Sequence, residues 1–197
     1  HGILEKLLKR KIRDRKALDL LHKIIDSYTT SPGKGMPLGA LTSQLFANVY
    51  LNPLDHFIKG KVRAKCYMRY LDDFVVLGSH KEELEQIKEN TGAFLSKELK
   101  LELHPEKTDI FPLHNGIGLL GFRVFYHYRL LKTANIRNFS CRLDAFVSDY
   151  SAGYVSKEEI QKRVQGWIAH AEWANTYRLR EEMLAPVRKI PGECIRQ

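Results

Sequence analysis

Residues 61–78 read "KVRAKCYMRYLDDFVVLG", two segments rich in β-branched and aromatic residues with adjacent aspartates, Asp72 and Asp73, between them. Such flanks predict a β-hairpin with the carboxylates at its turn. Two carboxylates held side by side raise each other's pKa unless a cation neutralises them. Hard oxygen donors with no His or Cys beside them suit Mg²⁺, which takes few protein ligands and fills its shell with water and substrate phosphates. The chemical use of such a pair is two-metal phosphoryl transfer: one ion activates an attacking hydroxyl and the other steadies the leaving pyrophosphate. A solvated turn is the plain alternative for an Asp-Asp dipeptide.

Upstream, "TTSPGKGMPLGALTSQ" (29–44) holds three glycines and two prolines, which predicts a loop with unusual backbone angles. A helix follows with apolar positions Leu45, Val49, Leu51 and Leu54, and Pro53 is expected to kink or end it. Within 3–28, apolar residues spaced by three and four predict one or two amphipathic helices. Their other face is basic (Lys6, Lys9, Arg10, Lys11, Arg13, Arg15 and Lys16), suited to phosphates or simply to water.

Downstream, Ser79 with Glu82 three residues on predicts a capped helix through "SHKEELEQIKENTGAFLSKELK". "LELHPEKTDIFPL" and "GIGLLGFRVFYHYRLLK" read as short strands with hairpin turns. Helical periodicity then returns over 135–150, 156–171 and 173–189. The expected class is therefore α+β, dividing near residue 133 into a mixed lobe and a helical, basic lobe.

Composition narrows the function. With 197 residues and 44% hydrophobic content, the chain can bury a core. No apolar run approaches the ~18 residues of a membrane span, so no membrane partner is expected. Lys and Arg number 32 against 23 Asp and Glu, a formal charge of +9 that favours a polyanionic partner, nucleic acid first. Cys66, Cys141 and Cys194 lie far apart, giving neither a disulfide framework nor a zinc site, and an intracellular, reducing setting is expected.

Four motifs in register resemble the reverse transcriptases. "YLDD" (70–73) is similar to the YxDD motif of the family's palm hairpin, and "GMPLGALTSQLFANVYL" (35–51) to its GxPxGxxxS loop and helix. "LELHPEKT" (101–108) resembles the segment that carries a functional lysine, and "GLLGF" (118–122) the hairpin that grips the primer. "GWIAHAEWANTYRLRE" (166–181) is similar to the thumb helices of bacterial members. Leu38 and "LTSQ" (41–44) resemble the diversity-generating retroelement enzymes, while group II intron, retron and CRISPR-associated enzymes share the palm.

The resemblance implies a polymerase palm with a catalytic β-hairpin packed by helices, over 1–133 and lacking the upstream fingers, and an all-helical thumb over 134–197. It implies an intracellular RNA-directed DNA polymerase, bacterial or phage-encoded, acting on an RNA template and a DNA primer with dNTPs, with an accessory protein as a further partner. Asp72 and Asp73 would hold two Mg²⁺ ions, for which Mn²⁺ can substitute, and Asp72 is the direct ligand by analogy. Tyr70 and Leu71 would flank the primer end or the incoming nucleotide. Gly35, Pro37, Leu38 and Gly39 would shape the loop against template and dNTP, with Ser43 and Gln44 beside the template. Lys107 would protonate or neutralise the leaving pyrophosphate. Leu120, Gly121 and Phe122 would form the primer grip, and Arg178 and Arg180 would meet nucleic-acid phosphates.

Each has its plain counterpart: a core aromatic at Tyr70, a connecting loop at 35–39, a helix-capping Ser43, an exposed Lys107, and core tryptophans at Trp167 and Trp173. The family uses a third catalytic aspartate on a strand ahead of the first helix, and its place is expected before His1. Asp14, Asp19 and Asp26 fall in helical patterns and are not expected to replace it. On that expectation the parent protein polymerises and this portion alone is weak or inactive. A non-catalytic palm and thumb that binds RNA or a protein partner is the alternative, and a nuclease or cyclase-like palm a third reading.

Overall fold

A computed structural model describes residues 1–36 and 40–188, and the chain divides into two compact units, His1–Ile110 and Phe111–Gln197. Pro37, Leu38, Gly39 and Lys189 lie outside the described residues. No described helix is long and apolar enough to cross a membrane.

The first unit opens with α1 (Gly2–Lys9) and α2 (Arg15–Asp26), whose apolar stripes bury Leu4, Leu8 and Ile25. Asp14 caps α2, its Oδ1 accepting from Ala17 N at 3.1 Å. These residues pack with Phe46 of α3 (Leu41–His56). Of the apolar positions read in this helix, Leu54 is buried whereas Leu45 is 57% exposed beside the buried Phe46. Helix α3 runs through Pro53 and continues as a π-type turn, Phe57–Val62.

The hairpin is β1 (Cys66–Tyr70) with β2 (Asp73–Leu77), antiparallel, pairing Tyr70 with Asp73 across a Leu71–Asp72 turn. Helix α4 (Lys81–Phe94) follows, extended by a second π-type turn, Leu95–Leu99. His80, in extended geometry and without a side-chain bond, holds the cap position expected for Ser79. Leu54, Ile58, Leu95 and Leu99 form the core under the hairpin, with Tyr67, Phe74, Phe57 and Phe94 packed against it. The hairpin face that Tyr67, Arg69, Phe74 and Val76 share by alternation is half-buried throughout, whereas on the other face only Val75 is.

"LELHPEKTDIFPL" forms no strand. Residues 101–112 run as irregular chain around a turn at 105–107, with Leu103 packed on the core under the hairpin. Two prolines, Pro105 and Pro112, remove donors that a ladder would need.

The second unit begins with a meander of β3 (Ile117–Leu119), β4 (Phe122–Val124) and β5 (Arg129–Leu131). Helices α5 (Thr133–Ser151), α6 (Lys157–Ala171) and α7 (Tyr177–Arg188) then match the three helical stretches read from periodicity. Leu131 of β5 belongs to the same core as Phe139, Leu143, Ile160, Val164, Trp167, Leu184 and Val187, and Phe122 packs against it. That shared core puts the meander with the helices, and the compact division falls at Ile110/Phe111.

Candidate active site

The two aspartates occupy the tip of the hairpin, Asp72 in the turn and Asp73 at the first position of β2. Both are exposed, and neither side chain has a hydrogen-bond or ion-pair partner among the described residues. Tyr70 lies directly across from Asp73, so the two side chains share a face. That face is open: Met68 is 55% and Tyr70 54% exposed. Tyr70 is thus not a core aromatic.

The turn that presents Asp72 is strained. Leu71 has φ 54°, the left-handed region, which costs a residue with a Cβ roughly 1–2 kcal/mol. The surroundings hold it there. Arg69, on the covered face, donates from Nη1 to the Leu71 carbonyl at 2.7 Å and to Asn48 Oδ1 at 3.0 Å. Its Nε and Nη2 grip both oxygens of Asp55 at 2.8 and 2.6 Å. The Tyr67 hydroxyl donates to Asp55 Oδ1 at 2.7 Å.

Burial opposes the charge of Asp55, but hydrogen bonds from Arg69 and Tyr67 and the guanidinium charge outweigh it and hold the carboxyl below its ordinary pKa. Burial, reinforced by the bond to Asp55, pushes the Tyr67 phenol up. The bond to Asp55 raises Arg69.

Sequence reasoning missed this group. The available signal was Arg69 itself, a cation at an inward alternation position of a strand, which demands a buried acidic partner.

The described part of the loop ahead of α3 has the unusual backbone expected, with positive φ at Gly33 and Gly35. Thr30 N donates to Lys34 O at 2.9 Å and Lys34 N to Ser31 O at 2.9 Å, closing a tight turn. Gly35 sits at φ 122°, where an added Cβ would meet Thr30 N at 2.7 Å. Its carbonyl contacts His1 Nε2 at 3.0 Å. Ser43 is half-buried in the first turn of α3, past the cap at Ala40, so it is not the capping residue; Gln44 is exposed. Lys107 is exposed on the 105–107 turn, which Lys88 Nζ ties to α4 through Thr108 O at 2.6 Å.

In the second unit, Leu120 and Gly121 are the two-residue turn between β3 and β4, with φ 51° and 85°. Positive φ at both positions matches the twist that a tight hairpin requires. Leu120 is 46% exposed, whereas Phe122 lies against the His170 ring, 4.5 Å between centroids. Arg180 is paired with Glu172 at 2.8 Å, and Arg178 is exposed without an ion pair among the described residues. Trp167 is core, stacked on Phe139 at 3.9 Å with Nε1 donating to Asn135 at 3.0 Å. Trp173 departs from the core expectation and is 65% exposed, as is Tyr177.

The donor set at the hairpin tip fits a hard divalent cation: two adjacent carboxylates, unpaired and open to solvent. Elsewhere, a half-buried Glu5 and the exposed His22 and Asp26 come together, with His22 Nδ1 3.0 Å from Glu5 and Nε2 3.4 Å from Asp26, so both ring nitrogens face carboxylates.

Comparison with known proteins places this geometry in context. The profile described as "Reverse transcriptase (RNA-dependent DNA polymerase)" matches residues 2–124. Protein YkfC of Escherichia coli (strain K12) is similar to the chain, 28% identical over 194 residues covering 75% of it and 51% of YkfC. Group II intron-encoded protein LtrA of Lactococcus lactis subsp. cremoris is 24% identical over 192 residues, covering 63% of the chain and 32% of LtrA. The chain thus spans about half the length of one relative and a third of the other.

Proposed function

Since the chain belongs to the reverse transcriptase (RNA-dependent DNA polymerase) family, we propose that it supplies the palm and thumb of an enzyme that extends a DNA primer on an RNA template. The observation that carries the reading is the unpaired Asp72 and Asp73, presented at a braced hairpin tip inside the matched segment. These two residues would hold Mg²⁺, or Mn²⁺ in its place. The metal supplies neutralisation of phosphate charge and a more nucleophilic primer hydroxyl.

The protein's own groups do the positioning. Tyr70, exposed beside Asp73, offers an aromatic surface to the primer end or incoming nucleotide, with Leu71 at the turn. The Gly35 turn brings bare backbone toward the incoming dNTP, since glycine has no Cβ to hold a ligand off. Ser43 and Gln44, in the first turn of α3, face the template. Lys107 offers a cation to the departing pyrophosphate. The Leu120–Gly121 turn with Phe122 grips the primer, and Arg178 contacts phosphate; Arg180 joins only by leaving Glu172. The functional division is a palm over 1–133 and a thumb over 134–197, and the setting is intracellular.

The subgroup is that of diversity-generating retroelements, carried by Leu38 and "LTSQ". A group II intron origin is its alternative, motivated by the likeness to LtrA. A template repeat beside the gene favours the first, an intron RNA the second.

One observation favours a non-catalytic, nucleic-acid-binding role for this portion alone: among the described residues, no third ligand clusters with Asp72 and Asp73. The two readings separate in a primer-extension assay with dNTPs and Mg²⁺ on an RNA template, run on this chain and on the longest polypeptide that contains it. Extension by the longer chain, reduced at least ~100-fold by Asp72→Asn or Asp73→Asn, supports the polymerase. Salt-dependent RNA binding with no extension by either chain supports the binding module.

A further inference from the structure

The peptide between Leu71 and Asp72 is the last rigid unit before the Asp72 side chain. Its carbonyl accepts from Arg69 Nη1, and the same guanidinium is locked in plane by two bonds to Asp55 and a third to Asn48. A planar fork with most of its donors engaged has little freedom to swing. Because Leu71 sits in a left-handed conformation, an unbraced turn has an alternative available in which that peptide reorients and carries the Asp72 Cα–Cβ bond with it. Arg69 makes no side-chain hydrogen bond or ion pair with Asp72 or Asp73.

Both acceptors that steady Arg69 come from α3. Asn48 and Asp55 stand seven residues apart, two turns along one face. The helix therefore runs from the residues that follow the Gly35 loop to the underside of the YLDD turn. Asp55 is also the acceptor of Tyr67, so one carboxylate fixes two inward residues of β1.

We propose that Arg69, anchored by Asp55, is a positioning residue that holds the Leu71–Asp72 peptide in one orientation and thereby sets how tightly the hairpin tip engages a divalent cation. The inference rests on the reading of Asp72 and Asp73 as metal ligands, and it predicts effects on metal dependence that loss of a merely structural ion pair does not produce.

The experiment has two arms. In the first, the longest active polypeptide is assayed for primer extension over a Mg²⁺ titration as wild type, Arg69→Gln, Arg69→Lys, Asp55→Asn and the Arg69→Gln/Asp55→Asn double variant. Arg69→Gln and Asp55→Asn each lower kcat or raise the half-saturating Mg²⁺ by roughly ten- to a hundredfold. The dNTP KM at saturating metal changes less than about twofold. Arg69→Lys, which keeps a donor for the Leu71 carbonyl, recovers part of the loss, and the double variant is no worse than the poorer single one.

In the second arm, amide NMR of the 197-residue chain follows the turn directly and needs no catalysis. Arg69→Gln broadens or doubles the Asp72 and Asp73 amide signals while those of Val75 and Val76 keep their positions, which also reports that the hairpin is folded.

Unchanged Asp72 and Asp73 signals in Arg69→Gln overturn the positioning role whatever the first arm gives. So does a wild-type Mg²⁺ dependence in an active Arg69→Gln enzyme. If that variant unfolds the hairpin, the two NMR criteria are read on Asp55→Asn. Absence of Mg²⁺-dependent extension in every chain, with the turn mobilised as expected, refutes the polymerase reading and leaves the bracing intact.

Discussion

Replacing Gly35 by Ala tests the loop ahead of α3 with a magnitude that the geometry supplies. At φ 122° the residue lies outside the wells open to a side chain, a strain of about 1–3 kcal/mol. The new Cβ would stand 2.7 Å from Thr30 N, 3.1 Å from its Oγ1 and 3.3 Å from the Thr29 carbonyl carbon. Two of those three atoms are backbone, and Thr30 N is committed to Lys34 O at 2.9 Å. Relief requires breaking that bond, about 1 kcal/mol more. The local cost sums to roughly 2–4 kcal/mol.

Residues 29–34 are solvent-exposed, so this turn can rearrange without unfolding the unit, and global stability should fall by only about 1 kcal/mol. Amide hydrogen exchange reads the local term. At Thr30 and Lys34 it should accelerate from about thirtyfold to several hundredfold. Gly33→Ala is the control: its φ is 68°, and an added Cβ there meets nothing within 4 Å. It carries the conformational penalty alone, about 1 kcal/mol. Equal exchange in the two variants, or exchange in Gly35→Ala equal to wild type, would refute the steric argument. In the active polypeptide the same substitution should raise the dNTP KM more than it weakens template binding. The reverse order would move the loop's contact from nucleotide to template.

Trp167→Ala should destabilise the second unit by about 3–5 kcal/mol in urea unfolding, because it removes the ring stacked on Phe139 and orphans Asn135. Trp173→Ala should stay within about 0.5 kcal/mol of wild type, since that ring is already in water. For Asp72→Asn and Asp73→Asn, stability should hold within about 0.5 kcal/mol, so their loss of extension reports chemistry; a large drop in unfolding free energy would instead assign them a structural role. Acid unfolding should expose Asp55. Its folded pKa is below the unfolded value, so its contribution is full above about pH 4 and is lost as pH falls through the folded value. The stability gap between wild type and Asp55→Asn should therefore close in acid; a gap constant from pH 7 to pH 2.5 would show that the ion pair is not its source.

The hairpin, the loop and the three late helices were legible because their signals are local: alternation around YLDD, Gly and Pro density over 29–44, and a 3.6-residue period after 133. What escaped was non-local. Arg69 and Asp55 are fourteen residues apart on different elements, and nothing in either neighbourhood names the other. The meander's place with the late helices depends on Leu131 joining their core, a tertiary choice that no period of two or three reveals. Trp167 and Trp173 sit six residues apart, in the second and third helical stretches, yet α6 ends at Ala171 and α7 starts only at Tyr177, so Trp173 falls in the connection and only the first ring is buried. "LELHPEKT" looked like a strand by composition; with Pro105 interrupting it and no described strand beside it, it settles as a turn tied to α4.

A two-stranded ribbon alone is marginal in water, so this hairpin owes its order to the single face that rests on Leu54, Ile58, Leu95 and Leu99. That arrangement separates two duties that would conflict on one surface. The covered face carries the anchoring residues, Tyr67, Arg69, Phe74 and Val76, while the opposite face leaves Met68, Tyr70 and Asp73 in solvent. Any group introduced on the open face meets the carboxylates without disturbing the anchors, and any loss among the anchors reaches the carboxylates only through the turn. Leu71 is where the two sides join: its carbonyl belongs to the anchors through Arg69, and its strained φ sets the direction of the next residue. The turn carrying Asp72 is thus the point at which packing energy from the core is converted into the aim of a carboxylate.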